Sequence, residues 1–106
     1  MTKWIDVGPQ QDLPTGRRQC AKLEGQSIVV FNLEGRYYAL ENRCTHAGLP
    51  LEDGDLSGCA LTCPYHGFTF NITNGQNVDD PKDTPVRTYP VKCENGRVLV
   101  GLEPLF

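Results

Sequence analysis

The sequence predicts an all-β fold, and three observations support it. Short runs rich in β-branched and aromatic residues recur along the chain, and tight-turn signals separate them. No run of ten or more residues shows a clear 3.6-residue period, so any helix is short.

Taken in order, Trp4 to Val7 is a first strand ended by Gly8-Pro9, and Asp12 to Gly16 is a turn or loop. Arg18 to Leu23, Ser27 to Leu33 and Arg36 to Leu40 follow as strands, joined by turns at Glu24-Gly25 and Glu34-Gly35. Val29, Val30, Phe31, Tyr37 and Tyr38 give these runs their strand character, and together they read as a β-meander. After Leu40 the texture changes to Gly, Pro and acidic residues, which reads as loops built on the end of a sheet. Phe68 to Ile72 alternates apolar and polar, with the turn signal Asn74-Gly75 behind it. Asn77 to Pro85 is an acidic, irregular loop containing Pro81 and Pro85. Val86 to Lys92 and Arg97 to Leu102 form a last hairpin across Asn95-Gly96.

At 106 residues the chain is read as one domain, spanning 1–106, with a modest core and no internal repeat. Its net charge of −3 argues against a general nucleic-acid binder, which would carry a basic stripe. The N-terminus has no apolar signal region, and no stretch approaches the roughly 18 apolar residues of a membrane span. The expectation is a soluble, cytoplasmic protein without a membrane partner. Five cysteines, an odd number, exclude a complete disulfide framework and point to a reducing compartment.

The chemistry concentrates between Cys44 and His66. Both histidines of the chain and two of its five cysteines fall within these 23 positions, as Cys44-Thr45-His46 and Cys63-Pro64-Tyr65-His66, with sixteen residues between the sets. Two thiolates and two imidazoles suit zinc, copper or an iron-sulfur cluster, and do not suit calcium or magnesium, which prefer oxygen. Structural zinc sites usually draw on a C-x2-4-C knuckle and an H-x3-5-H helix. Here each segment supplies one sulfur and one nitrogen, a mixed pairing that fits a two-iron centre with both cysteines on one iron and both histidines on the other. Cys44, His46, Cys63 and His66 are the candidate ligands.

The C-T-H and C-P-Y-H-G segments closely resemble the Rieske [2Fe-2S] family, whose pattern is C-x-H, a gap of about this size, then C-x2-H. The resemblance implies a small antiparallel β-sandwich with a two-loop cluster-binding subdomain, about 41–72, inserted between its strands. It also implies one [2Fe-2S] cluster per chain. Two ferric ions, two sulfides and two thiolates sum to zero when the remaining ligands are neutral imidazoles, whereas four thiolates leave the oxidised cluster at minus two. An electron is therefore added more easily, in keeping with potentials of about −150 to +300 mV for Rieske centres against about −400 mV for plant-type ferredoxins. The electron is expected on the histidine-bound iron, with His46 and His66 as its exit.

The chain departs from the respiratory branch of that family. Leu49 and Tyr65 stand where the branch carries two extra cysteines that form a bracing disulfide, and Phe68 replaces a serine whose hydroxyl donates to a cluster sulfide. With fewer donors for the reduced state, a potential toward the low end of the Rieske range is expected. Gly67 is read as letting the backbone approach the cluster, Pro64 as stiffening the second loop, and Pro85 as part of a proline-containing shielding loop. Glu52, Asp53, Asp55, Asp79, Asp80 and Asp83 are read either as an acidic docking rim or as solvated loop charges. Cys20, Cys59 and Cys93 fit no ligand spacing and are expected to be small buried hydrophobes.

No nucleotide-binding glycine pattern, second ligand set or nucleophile with a base is present, so the chain is expected to carry an electron and not to act as an enzyme. It resembles free-standing Rieske ferredoxins that shuttle electrons from an NAD(P)H-dependent flavoprotein reductase to a terminal ring-hydroxylating oxygenase. The alternatives are a Rieske-like small subunit of an assimilatory nitrite reductase, bound to its large subunit, a detached oxygenase Rieske domain, or a non-redox zinc module on the same four ligands.

Overall fold

The structure, a computed structural model, describes residues 3–43, 51–63, 68–79, 82 and 85–102. Ten strands appear in chain order: β1 (Trp4–Pro9), β2 (Arg18–Leu23), β3 (Gln26–Leu33), β4 (Arg36–Glu41), β5 (Asp55–Ser57), β6 (Ala60–Thr62), β7 (Thr69–Asn71), β8 (Thr88–Tyr89), β9 (Val91–Glu94) and β10 (Arg97–Gly101). The helix among the described residues is one 3-10 turn, Gln10–Asp12. The strands make three antiparallel sheets, ordered β1-β10-β9, β2-β3-β4-β8 and β5-β6-β7.

The meander forms as its turns dictate. Glu24-Gly25, Glu34-Gly35 and Asn95-Gly96 each place both residues at positive φ. They join strands whose flanking residues pair directly, Leu23 with Gln26, Leu33 with Arg36 and Glu94 with Arg97. Two-residue turns of this hand match the twist of the strands they join.

β3 explains its own unbroken apolar run. Successive side chains point to opposite faces, so Ile28 and Val30 pack with Leu13, Leu23, Ala39, Tyr89, Val98 and Val100, while Val29 and Phe31 pack with Leu40, Leu51, Leu61, Cys63, Phe70 and Ile72. The four-stranded sheet is thus a middle layer. The β1-β10-β9 sheet completes a sandwich on one face, and the β5-β6-β7 sheet, which in sequence lies between β4 and β8, covers the other.

Three details differ from the sequence expectation. The first strand does not stop at Gly8-Pro9: a bulge between Asp6 and Gly8, with the Gly8 amide donating to Asp6 Oδ1 at 2.8 Å, carries it through Pro9. The expected strand over Val86 to Lys92 is split at Pro90, which has no N–H for the ladder; β8 pairs with β4 and β9 with β10. Finally, β5 and β6 form a hairpin around Gly58-Cys59 inside a stretch expected to be loop.

The Asn74-Gly75 turn reverses the chain as expected. Gly75 adopts φ +78, and a Cβ there would fall 2.0 Å from the Val86 carbonyl oxygen, so glycine is required twice over. Beyond it, Asn77 bridges Phe70 and the Val78 amide donates to Thr69 O at 2.8 Å, so the first part of the acidic segment runs beside β7.

Candidate metal centre

Cys63, the described member of the second candidate set, directly follows β6 of the β6–β7 hairpin. Thr62 and Thr69 pair across it, their hydroxyls 3.1 Å apart, and the Cys63 amide donates to Phe68 O at 2.7 Å. The β6–β7 pairing is therefore closed by a backbone bond between Cys63 and Phe68. Cys63 is 1% exposed in the core shared with Leu51, Leu61 and Phe70, with Phe68 packed half-buried against it. Its thiol is free and has no hydrogen-bond partner among the described residues. Cys44, His46 and His66 lie outside the described residues, as do Leu49, Pro64, Tyr65 and Gly67.

The first set belongs to the segment between β4 and β5, and the two flanks of that segment are held together. Asn42, buried just after β4, accepts the amides of Leu51 and Glu52 on its Oδ1 at 2.7 and 2.9 Å. Leu51 is fully buried in the same cluster as Cys63, so the return of the first loop and the base of the second share one core. Gly54 makes the approach possible, since its backbone lies against Thr62, the residue before Cys63. Arg18, from β2, adds two bonds from Nη1, to Glu52 O at 2.9 Å and Gly54 O at 2.6 Å, with its guanidinium 5.1 Å from the Phe31 ring centroid.

Asn42, Gly54 and Arg18 were not identified in the sequence. An Asn just after a strand is a general signal for side-chain bonds to backbone amides. Its partners, nine and ten residues away, carry no such signal.

The three cysteines outside the ligand pattern are not buried: Cys20, Cys59 and Cys93 are all exposed. Cys59 occupies the β5–β6 turn, at the other end of β6 from Cys63, where tight-turn geometry outweighs the apolar character of the side chain. Cys93 lies on an edge strand with solvent beyond it. Cys20 keeps a specific contact, its thiol donating to Glu52 Oε2 at 2.9 Å. Partial burial of the sulfur, then that bond and the Glu52 charge, push its pKa up to about 12.

Of the acidic positions, Asp53, Asp55 and Asp79 are exposed, and Glu52 is half-buried in its contact with Cys20. Asp55 pairs with Thr62 and Asp79 Oδ2 accepts the Thr69 amide at 3.3 Å, so these two carboxylates flank the hairpin just behind the second loop. Asp80, Pro81 and Asp83 lie outside the described residues. Pro85 is half-buried, beside the fully buried Val86. Among the described residues no three His, Cys, Asp or Glu side chains group to hold a metal ion, and no helix is long and apolar enough to cross a membrane.

Three antiparallel sheets around two cores, with the buried free thiol of Cys63 just after β6, define a small all-β domain. The chain belongs to the Rieske [2Fe-2S] domain family, whose model matches residues 3–90. The family's cofactor is a [2Fe-2S] cluster, and the donor set and the free Cys63 thiol fit it.

The chain is 37% identical over 100 residues to the ferredoxin component of the naphthalene 1,2-dioxygenase/salicylate 5-hydroxylase systems of Ralstonia sp, covering 94% of this chain and 96% of the relative. It is 35% identical to the ferredoxin component of the 2,4-dinitrotoluene dioxygenase system of Burkholderia sp. (strain RASC), with the same coverage. Among solved structures, a complex of reduced oxygenase and oxidized ferredoxin in carbazole 1,9a-dioxygenase contains a chain that superimposes with TM-score 0.89 at 29% identity, covering 97% of this chain and 96% of that one. In another structure of that oxygenase–ferredoxin complex the match, at TM-score 0.84 and 27% identity, covers 93% of this chain but 28% of its counterpart, so the same fold also occurs as part of a longer chain.

Proposed function

We propose that this chain is the ferredoxin component of a multicomponent oxygenase system, carrying single electrons from an NAD(P)H-dependent flavoprotein reductase to a terminal oxygenase. Coverage carries the reading: the similarity to ferredoxin components runs over nearly the whole of this chain and nearly the whole of theirs. A chain matched at 28% of its counterpart's length fits an embedded oxygenase domain less well. That these relatives are ferredoxin components of dioxygenase systems also favours the oxygenase branch over a nitrite reductase subunit.

In this reading Cys44 and Cys63 hold one iron and His46 and His66 the other. The cluster, when bound, supplies a one-electron couple and no substrate chemistry, so the chain is a carrier and not an enzyme. Residues 1–106 act as a single domain, with about 41–72 as the cluster-binding subdomain. This division is supported by the β5-β6-β7 sheet lying between β4 and β8 in sequence. Asp55 and Asp79, flanking the second loop, support an acidic rim that steers a basic partner, and the association rate then falls as salt rises. Three exposed free thiols suit the reducing cytoplasm.

The test is aerobic purification with iron and acid-labile sulfide analysis, followed by EPR of the dithionite-reduced protein. About two irons and two sulfides per chain with a Rieske-type spectrum are expected. A single metal ion without sulfide would sink the proposal, and failure to pass electrons to any oxygenase while the spectrum is intact would sink the partner assignment alone.

A further inference from the structure

The chain returning from the first loop is gripped from several directions. Asn42 is 8% exposed, and its side chain uses both ends. Oδ1 accepts the amides of Leu51 and Glu52, while Nδ2 donates to Ser27 Oγ at 3.2 Å and reaches Cys20 Sγ at 4.0 Å. The Asn42 amide itself donates to Ser27 O at 2.9 Å. One side chain therefore fixes where the loop leaves β4 relative to where it re-enters the core, across nine residues. From β2, Arg18 holds the carbonyls of Glu52 and Gly54, and the Cys20 thiol holds the Glu52 carboxylate.

Asparagine fills this place with an acceptor for two amides and a donor for a hydroxyl. Leucine has the branched heavy-atom shape of asparagine, though more volume, and would leave the buried Leu51 amide and the half-buried Glu52 amide without their acceptor. Aspartate keeps the acceptor, and the Ser27 hydroxyl can turn to donate to it. With Leu51 and Glu52 tied to Asn42, the two flanks of the intervening segment are held at one separation, which narrows the orientations in which candidate ligands between them can meet a metal.

We propose that Asn42 is a positioning residue for the cluster: by tying Leu51 and Glu52 to the end of β4, it fixes the loop that delivers Cys44 and His46. The proposal rests on the [2Fe-2S] reading above. Asn42 acts through the loop and is not assigned as a ligand.

Asn32 provides a matched control. It is also buried, at 5% exposure, and bonds in the same two senses, with Nδ2 donating to Leu13 O at 2.8 Å and Oδ1 accepting the Gly35 amide at 2.9 Å. It stands at the other end of β3, beside the Glu34-Gly35 turn.

The experiment compares cluster-loaded parent, Asn42→Leu, Asn42→Asp and Asn32→Leu. Three quantities are measured: the EPR g-values of the reduced protein, the loss of visible absorbance under a chelator, and thermal unfolding. Asn42→Leu is expected to shift or broaden the EPR spectrum and to speed cluster loss about tenfold, since buried amides lose their acceptor. Asn42→Asp is expected to keep the parent line shape and to lose its cluster within about threefold of the parent rate, because the acceptor survives. Asn32→Leu is expected to lower thermal stability while leaving the spectrum and the loss rate at parent values.

Parent-like EPR and cluster loss in Asn42→Leu would overturn the proposal, as would an equal effect of Asn32→Leu on both. If Asn42→Leu yields no folded protein, Asn42→Ser, whose oxygen falls short of the amides, is read by the same criteria. A parent protein lacking the Rieske spectrum would refute the functional reading instead, so the two failures are distinct.

Discussion

Gly54 and Thr62 meet backbone to backbone: a Cβ on residue 54 would stand 2.5 Å from the Thr62 carbonyl oxygen and 3.1 Å from that of Leu51. Neither atom is the end of a flexible side chain, so the strands must separate to admit it. This contact sets the chain returning to β5 against the end of β6, next to Cys63. Gly54→Ala is therefore expected to destabilise the fold by about 1–3 kcal/mol, as overpacking does, and to speed cluster loss. Gly58, at φ +60 with open space around its Cβ position, is the comparison. Gly58→Ala is expected to cost about 1 kcal/mol through backbone strain and to leave cluster loss unchanged. Chemical denaturation and chelator challenge of the two variants check both statements, and equal cluster loss would contradict the first.

Glu34 occupies a position that disfavours it. It sits at φ +52 at the first place of a two-residue hairpin turn, where asparagine is preferred, and its side chain is exposed. The Asn32 side chain already secures the next amide, that of Gly35, so the turn does not depend on the glutamate. Glu34→Asn is expected to stabilise the protein by about 0.5–1 kcal/mol, raising Tm by about 2–6 °C. A scanning calorimetry trace with no rise would show that the strain is relieved elsewhere.

The free thiols should differ in reactivity. The thiolate is the nucleophile, and the Cys20 thiol, shielded and donating to Glu52, titrates only at about 12. Alkylation at pH 8 followed by peptide mapping should label Cys59, exposed in its turn, well before Cys20. The folded state holds the Cys20 proton more tightly than the unfolded chain does. Its stabilisation is therefore intact below about pH 9 and is lost as pH rises through about 12. Cys20→Ala should flatten stability over that alkaline range. Labelling of Cys20 as fast as Cys59 would refute the assigned contact.

The sequence made the hairpins legible because Glu-Gly and Asn-Gly turns and β-branched runs are local signals; the proposed ligand set rests on residue type and spacing, which are local too, and of its four members only Cys63 is among the described residues. What escaped it depends on distance. Strands of three residues such as Asp55–Ser57 and Ala60–Thr62 are too short to show a period, so the β5–β6 hairpin read as loop. Pro90 divides one apolar run between two sheets, which becomes visible only once the partners of β8 and β9 are known. Average burial predicts the three extra cysteines to be inside, whereas turn and edge positions decide their exposure. The grip of Asn42 on Leu51 joins residues whose proximity the fold creates.

Phe68 tests the origin of the potential. It packs half-buried against the core that contains Cys63, and its carbonyl oxygen, 2.7 Å from the Cys63 amide nitrogen, closes the second loop. Because that bond is made by backbone, substitution of the side chain leaves it available. The family resemblance sets Phe68 against a serine whose hydroxyl donates to a cluster sulfide. Such a donor favours the reduced state, which carries one more negative charge. Phe68→Ser is therefore expected to raise the midpoint potential, by tens of millivolts up to about 100 mV if the hydrogen bond forms. It is also expected to cost about 1–3 kcal/mol of stability from lost packing. Phe68→Leu, which keeps apolar volume and adds no donor, should leave the potential near that of the parent. Potentiometric titration of the three proteins separates the effects: if Phe68→Leu raises the potential as far as Phe68→Ser, solvent access to the loop sets the value, and the missing hydroxyl does not.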